Sequence, residues 1–287
     1  MTINQSINFL LEQLEPIYGR NESFAIIDLL LENLTGMDRL DRSMNSDIIL
    51  PVPKQRIDEI VSDLKKHMPV QYILGESWFY GNKFIVNKSV LIPRPETEEL
   101  IAWIISDIRS NNKLIKSIID IGTGTGCIPI TLKKHLNESQ VTAIDVCSEA
   151  LYTAINNAAT HETEINFQLL DFLDESKWNE LGTYDIIVSN PPYIKTSEAK
   201  NISEHVLQYE PHKALFVPDD DALLFYRKIA DFSLQHLNKN GAVYLEINQL
   251  MGKEITELFQ LKGFTVELRK DMSGNERMLK AELGDKL

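Results

Sequence analysis

The chain has 287 residues, 43% hydrophobic and 25% charged, the balance of an ordinary soluble globular protein. Its net charge of −13 excludes an extended, sequence-independent grip on a phosphate backbone, which needs clustered Lys and Arg; a local basic patch stays open. Cys127 and Cys147 give no disulfide framework, the scattered histidines give no ligand spacing, and no apolar run is long enough to cross a bilayer.

Ile7, Leu10, Leu11 and Leu14 recur at helical spacing, with Pro16 after them. A second amphipathic segment carries Phe24, Ile27, Leu30, Leu31 and Leu34 and ends before Gly36. A third follows Pro51 and Pro53 with Ile57, Ile60, Val61 and Leu64. Together they predict a small all-helical domain over residues 1–74. It holds no chemistry of its own, so its apolar stripes serve its core or dock a partner protein.

Aromatic and β-branched residues from Trp78 to Val86, around Gly81-Asn82, predict a short hairpin within a linker over residues 75–94. A larger domain is expected over 95–287. Pro95 predicts the start of a helix whose acidic first turn suits the helix dipole. Arg94, held between Pro93 and Pro95, is a rigidly presented cation, either a surface ion-pair partner or a substrate contact. From Ser117 the chain alternates strand and helix. Ile118–Ile121, Val141–Ile144, Phe167–Leu170, Ile186–Val188 and Val243–Ile247 are apolar strand runs. Helical patterns lie near Thr131–Leu136, Glu149–Ala158, Ala222–Leu237 and Ile255–Leu261. A closing hairpin over Thr265–Leu268 and Arg277–Ala281 brings the expected strands to seven in an α/β, doubly wound, mostly parallel sheet.

Two strand ends carry the chemistry. Asp120-Ile121-Gly122-Thr123-Gly124-Thr125-Gly126 follows a strand and opens a helix, where glycines let backbone approach a ligand. Asp145 closes the next strand, about 20 residues on, where a carboxylate can accept ribose hydroxyls. The G-x-G-x-G spacing, with Asp120 placed for a cationic amino group, favours S-adenosylmethionine over a dinucleotide. Asp171 can accept from an adenine amino group and Phe172 can stack on the ring; the pair equally fits a capped strand end over a core phenylalanine.

Asn190-Pro191-Pro192-Tyr193 ends the fourth strand abruptly, because proline gives a sheet no N–H and pushes Asn190 toward extended geometry. The Asn190 side-chain oxygen and the Pro191 carbonyl can accept both hydrogens of a planar –NH2 group, with Tyr193 stacked on it. Taken alone, the tetrapeptide is also an ordinary turn.

With these motifs in order, the chain resembles the class I, Rossmann-like methyltransferases that modify planar amino groups. Gln71-Tyr72-Ile73-Leu74-Gly75, Ile92-Pro93-Arg94-Pro95-Glu96-Thr97-Glu98, Tyr209-Glu210-Pro211, Glu246-Ile247 and Lys270-Asp271-Met272-Ser273-Gly274-Asn275-Glu276-Arg277 are similar to motifs of the peptide chain release factor glutamine N5-methyltransferases, the HemK/PrmC family. That resemblance implies methyl transfer from S-adenosylmethionine, with S-adenosylhomocysteine as product. The acceptor would be the side-chain amide of the glutamine in the Gly-Gly-Gln loop of class 1 release factors. It implies cofactor contacts from Gly122 to Gly126, Asp145, Phe172 and Asn190, and a substrate glutamine held by Asn190 to Tyr193. Pro218-Asp219-Asp220-Asp221 and Asn248 depart from the family pattern, where glycines are common. The rival expectations are a nucleobase amino-methyltransferase, an NAD-dependent oxidoreductase and a catalytically silent binding module. No metal, no membrane and no direct nucleic-acid partner are expected, in a cytoplasmic monomer without a leader segment.

Overall fold

The computed structural model describes residues 1–111 and 113–284. Asn112 and residues 285–287, within the span expected for the larger domain, lie outside the described residues. Helices α1 (Ile3–Thr35), α2 (Arg39–Met44), α3 (Lys54–Lys65) and α4 (Val70–Leu74) come first, then a hairpin of β1 (Glu76–Phe79) and β2 (Asn82–Ile85). Next are α5 (Pro95–Ser110), β3 (Ser117–Ile121), α6 (Cys127–His135), β4 (Gln140–Asp145), α7 (Ser148–Thr160), β5 (Asn166–Leu169) and β6 (Tyr184–Ser189). The chain continues through β7 (Ile194–Lys195), α8 (Glu204–Tyr209), β8 (Phe216–Val217), α9 (Leu224–His236), β9 (Leu237–Glu246), α10 (Gly252–Leu261), β10 (Phe264–Lys270) and β11 (Glu276–Leu283). Two compact units result: Met1–Glu76 with Ser203–Tyr209, and Ser77–Ile202 with the chain from Glu210 onward.

In the helical unit, the stripes of α1 and α3 bury Leu10, Leu14, Ile27, Leu30, Leu31, Ile57, Ile60 and Leu64 in one core. Pro16 does not end the first helical run; the break falls at Gly19, whose φ of +72° is free for glycine and strained for other residues. Gly36, at φ +69°, closes α1 in left-handed geometry. Buried Arg42 donates to Asp28 and to the Met37 carbonyl, both at 2.7 Å, so its charge is paired. Tyr209 donates to the Lys66 carbonyl at 2.9 Å, tying the α8 segment to this unit.

The hairpin turn lies one residue earlier than Gly81-Asn82 suggests. Tyr80 (φ +48°) and Gly81 (φ +72°) both take positive φ, as a two-residue primed turn requires. Asn82 caps it by donating from Nδ2 to the Tyr80 carbonyl at 2.9 Å.

The seven-stranded sheet runs in the order β10-β11-β9-β6-β3-β4-β5. Its strands from β9 to β5 pair in parallel, and the β10–β11 hairpin adds an antiparallel edge. Successive strand side chains point to opposite faces, so neighbours enter different cores. Ile119, Ile121, Ile187, Val243 and Leu245 pack with Phe232 of α9 and Phe259 of α10. Ile118, Ile186, Val188, Ala242 and Tyr244 pack with Leu100 and Ile104 of α5 and Leu132 of α6. Both faces are covered, which is why the strand runs read as continuous rather than alternating apolar sequence.

One pairing leaves little trace in the sequence. Ile194 and Lys195 run parallel to Phe216 and Val217, fastening the chain directly after the Asn-Pro-Pro-Tyr tetrapeptide.

Candidate active site

The carboxyl ends of β3, β4 and β6 lie side by side in the sheet, at the edge where open α/β sheets bind ligands. After β3 the backbone folds back, with the Gly122 and Thr123 amides both donating to the Ile144 carbonyl at 3.0 Å. Gly122 and Gly124 take φ of +77° and +53°, and a Cβ built at either would meet nothing within 4 Å. Their conformation demands glycine, and the open space beside them suits a ligand. Gly126 differs: a Cβ there would stand 3.1 Å from that of Ala154, so it lets the start of α6 press on α7.

Asn157 braces this loop, a role the sequence did not disclose. Fully buried on α7, it donates from Nδ2 to the Thr125 carbonyl at 2.9 Å and the Ile85 carbonyl at 3.0 Å. Its Oδ1 accepts from the Ile85 amide at 2.7 Å. One amide thus joins the glycine loop to β2. Asn157→Ala is expected to destabilise the protein by roughly 3 kcal/mol, because it strands buried backbone groups. Urea unfolding checks this, and a change under about 1 kcal/mol would contradict it.

Asp120 has no exposed surface, and neither carboxylate oxygen has a hydrogen-bond partner. Burial pushes its carboxyl up to about 7; Thr123 opposes that shift, and Asp145 adds to it. The buried Thr123 hydroxyl stands close enough to oppose that shift but makes no hydrogen bond of ordinary length. Natural proteins seldom leave such a group unpaired unless a ligand completes it. Asp145, ending β4, accepts the Gly124 amide on Oδ2 and the Cys147 amide on Oδ1, both at 2.9 Å. Burial raises its carboxyl, and these N–H bonds pull it back down.

Phe172 does not offer the open ring expected of a base-stacking residue. It is 5% exposed, stacks on Trp178 at 5.5 Å between centroids, and meets Phe232 edge-on at 5.4 Å. Trp178, six residues on, also donates to the Phe172 carbonyl at 2.9 Å, which draws the ring into the core. Asp171 beside it is exposed, with Oδ1 accepting the Leu173 amide at 3.0 Å.

At the end of β6 the chain leaves the sheet at Asn190. Its Nδ2 donates to the Thr97 hydroxyl at 3.2 Å, and Thr97 donates to Glu246 Oε2 at 2.6 Å. Tyr193 is directed at the other oxygen of that carboxylate, Oε1, at 3.4 Å, and its carbonyl accepts from Asn248 Nδ2 at 3.2 Å. Burial pushes Glu246 up to about 7, against the Thr97 bond and the nearby Arg277. Burial, with Glu246 close by, raises the Tyr193 phenol, so Tyr193 stays neutral. Pro191 is buried and Pro192 partly so between these anchored neighbours. Arg94 is an ion-pair partner: it caps α5 and holds buried Glu210 at 2.6 Å.

The structure therefore joins Asn190 and Tyr193 through Glu246 and Thr97, and Asp145 to the glycine loop. It sets Phe172 in the core and Arg94 on Glu210. Thr97, Glu246 and Asn157 are polar residues on buried faces of apolar elements, the one signal that sequence offers for such groups.

Residues 102–215 match the model of the methyltransferase small domain, and residues 8–75 that of the PrmC N-terminal domain. The release factor glutamine methyltransferase of Flavobacterium psychrophilum is 43% identical over 94% of this chain and 95% of its own length. That of Bacteroides thetaiotaomicron is 39% identical over 97% and 99%. The chain belongs to the release factor glutamine methyltransferases. Among solved structures, the catalytic domain of hMettl16 shares the fold at a TM-score of 0.55 and 19% identity, over 71% of this chain and 76% of that one.

Two positions where this member departs from the expected motifs of the release factor glutamine methyltransferases carry contacts of their own. Asn248, besides holding Tyr193, accepts the Leu250 amide at 3.0 Å. In the Pro218–Asp221 turn, Asp219 accepts the Ser197 amide at 2.7 Å and Asp221 pairs with Arg227. No helix among the described residues is long and apolar enough to cross a membrane, and no three His, Cys, Asp or Glu side chains among them cluster to hold a metal.

Proposed function

We propose that this chain transfers a methyl group from S-adenosylmethionine to the side-chain amide N5 of the glutamine in the Gly-Gly-Gln motif of class 1 peptide chain release factors. The observation that carries this reading is the Asn190 amide, whose nitrogen is engaged by Thr97 so that its oxygen is the acceptor left for a substrate. Family membership supplies the substrate class.

The residues present fit the cofactor. The unpartnered Asp120 carboxylate suits a buried ammonium, the open faces of Gly122 and Gly124 suit a closely approaching ligand, and Asp145 suits ribose hydroxyls. Backbone from Thr123 to Gly126 shapes the cradle, and exposed Asp171 is available to an adenine amino group. When bound, S-adenosylmethionine supplies the activated methyl carbon and its leaving group.

An amide nitrogen is a weak nucleophile because its lone pair is delocalised. Asn190 Oδ1 and the Pro191 carbonyl accept its two N–H groups, leaving the lone pair as the open direction. Tyr193 and Pro192 bound the plane of the amide. Both acceptors gain strength as the nitrogen turns positive, which is transition-state rather than ground-state binding. Positioning of this kind is worth up to roughly 7–11 kcal/mol in the best intramolecular reactions.

The helical unit, residues 1–74, is assigned as the docking platform for the substrate protein. We place the enzyme in the cytoplasm as a monomer that binds no nucleic acid directly, in keeping with its free thiols and its charge of −13. Mass spectrometry of a release factor incubated with the protein and labelled S-adenosylmethionine tests the reading, with DNA and RNA assayed in parallel. Label on the Gly-Gly-Gln glutamine is the expected result. Label on nucleobase amino groups, or on neither, would overturn it.

A further inference from the structure

An asparagine amide is nearly symmetric in shape, and a half-turn about its last bond exchanges donor for acceptor. For Asn190 that exchange would matter. Turned the other way, it would aim N–H groups at the N–H groups of the substrate amide. Something must choose the rotamer.

Three elements far apart in the chain supply the choice. Thr97 sits in the first turn of α5, Glu246 ends β9, and Asn190 follows β6. Thr97 and Glu246 are 3% and 2% exposed, so water does not compete for their bonds. A threonine hydroxyl carries one proton. Where Glu246 is ionised, that proton goes to its Oε2, 2.6 Å away, so the hydroxyl has only lone pairs to offer Asn190. Asn190 must then present its –NH2 to Thr97 and its oxygen outward. The same carboxylate faces the Tyr193 hydroxyl through Oε1, so a single buried anion orients both side chains.

We propose that Thr97 and Glu246 are positioning residues for the methyl transfer: the ionised Glu246 carboxylate accepts the hydrogen bond that the Thr97 hydroxyl donates and thereby holds the Asn190 amide with its oxygen toward the substrate nitrogen. This rests on the reading that Asn190 Oδ1 receives a substrate N–H. It adds a chain of command behind it, running from a carboxylate that need not touch either reactant.

The test combines kinetics with a readout independent of turnover. Thr97→Val removes the hydroxyl at nearly constant shape; it is expected to lower kcat roughly 100-fold, the scale of an ångström-level misplacement, with cofactor Kd within about twofold. Thr97→Ser restores the hydroxyl and returns kcat to within about fivefold of the parent. In an Asn190→Ala background, Thr97→Val adds less than about threefold, because residues acting as one unit are non-additive. Glu246→Gln, which can donate as well as accept, loses the preference and follows Thr97→Val. An undiminished kcat in Thr97→Val, or an equal loss in both backgrounds, overturns the proposal while leaving the methyltransferase reading intact. Wild-type protein that labels no glutamine overturns that reading instead. The Asn190 side-chain 15N–1H signals then still decide the relay. A slowly exchanging pair in wild type and Thr97→Ser that is lost in Thr97→Val supports it, and a pair unchanged in Thr97→Val overturns it.

Discussion

Asn190→Ala is expected to lower kcat by roughly 100- to 1000-fold, the scale seen when one preorganised polar group facing the developing charge is removed, and to leave cofactor Kd within about threefold. The split follows from where Asn190 is anchored. Its bonds run to Thr97 and, through it, to Glu246, whereas the glycine loop is held by Ile144, Asp145 and Asn157. On the proposed reading, removing the amide leaves the anchors of the glycine loop in place and strips the substrate nitrogen of an acceptor. Single-turnover kinetics with saturating cofactor measures the effect. A variant that turns over at the parent rate with intact cofactor binding would remove Asn190 from the chemistry.

Asp120→Asn should make the protein more stable and a poorer cofactor binder at once. An ordinary aspartate ionises near pH 4, and burial moves Asp120 to about 7. The native state thus favours the neutral acid. The carboxylate's cost is absent below pH 4, grows as pH rises from 4 to 7, and is constant above. A shift of that size corresponds to roughly 4 kcal/mol. The amide still leaves a buried polar group unpaired, so the expected gain is roughly 2 kcal/mol at pH 8 and close to zero near pH 4. Urea unfolding at the two pH values measures it. Losing a charge-assisted bond to the cofactor's ammonium raises Kd by roughly 10- to 100-fold, readable by calorimetry. A destabilised variant, or one that binds the cofactor as before, would show that Asp120 is not a site kept vacant for a cation.

Periodicity and punctuation made most of the architecture legible. The apolar runs from Ile118 to Ile247 became β3, β4, β5, β6 and β9, and Pro95 opens α5 at its first position with Glu96 and Glu98 in the first turn. These are local signals, written within a few residues. The bonds that organise the site are not local. Thr97 and Glu246 lie 149 positions apart, and Asn157 reaches back 72 residues to Ile85. Only the winding of the sheet brings them together. Phe172 left two readings open, base stacking or a core ring, and the side chain that packs against it, Trp178, lies outside the strand-end motif. Arg94 looked available for a ligand because its partner, Glu210, lies 116 residues downstream.

The small parallel pair at Ile194↔Phe216 has an evolutionary corollary. Chain leaving the tetrapeptide returns to the same place about twenty residues later, clamped at both ends. Residues added to or trimmed from that excursion before its anchors at Tyr209 and Glu210 need not disturb the frame of Asn190. Length and composition can thus drift there while the reacting corner stays still.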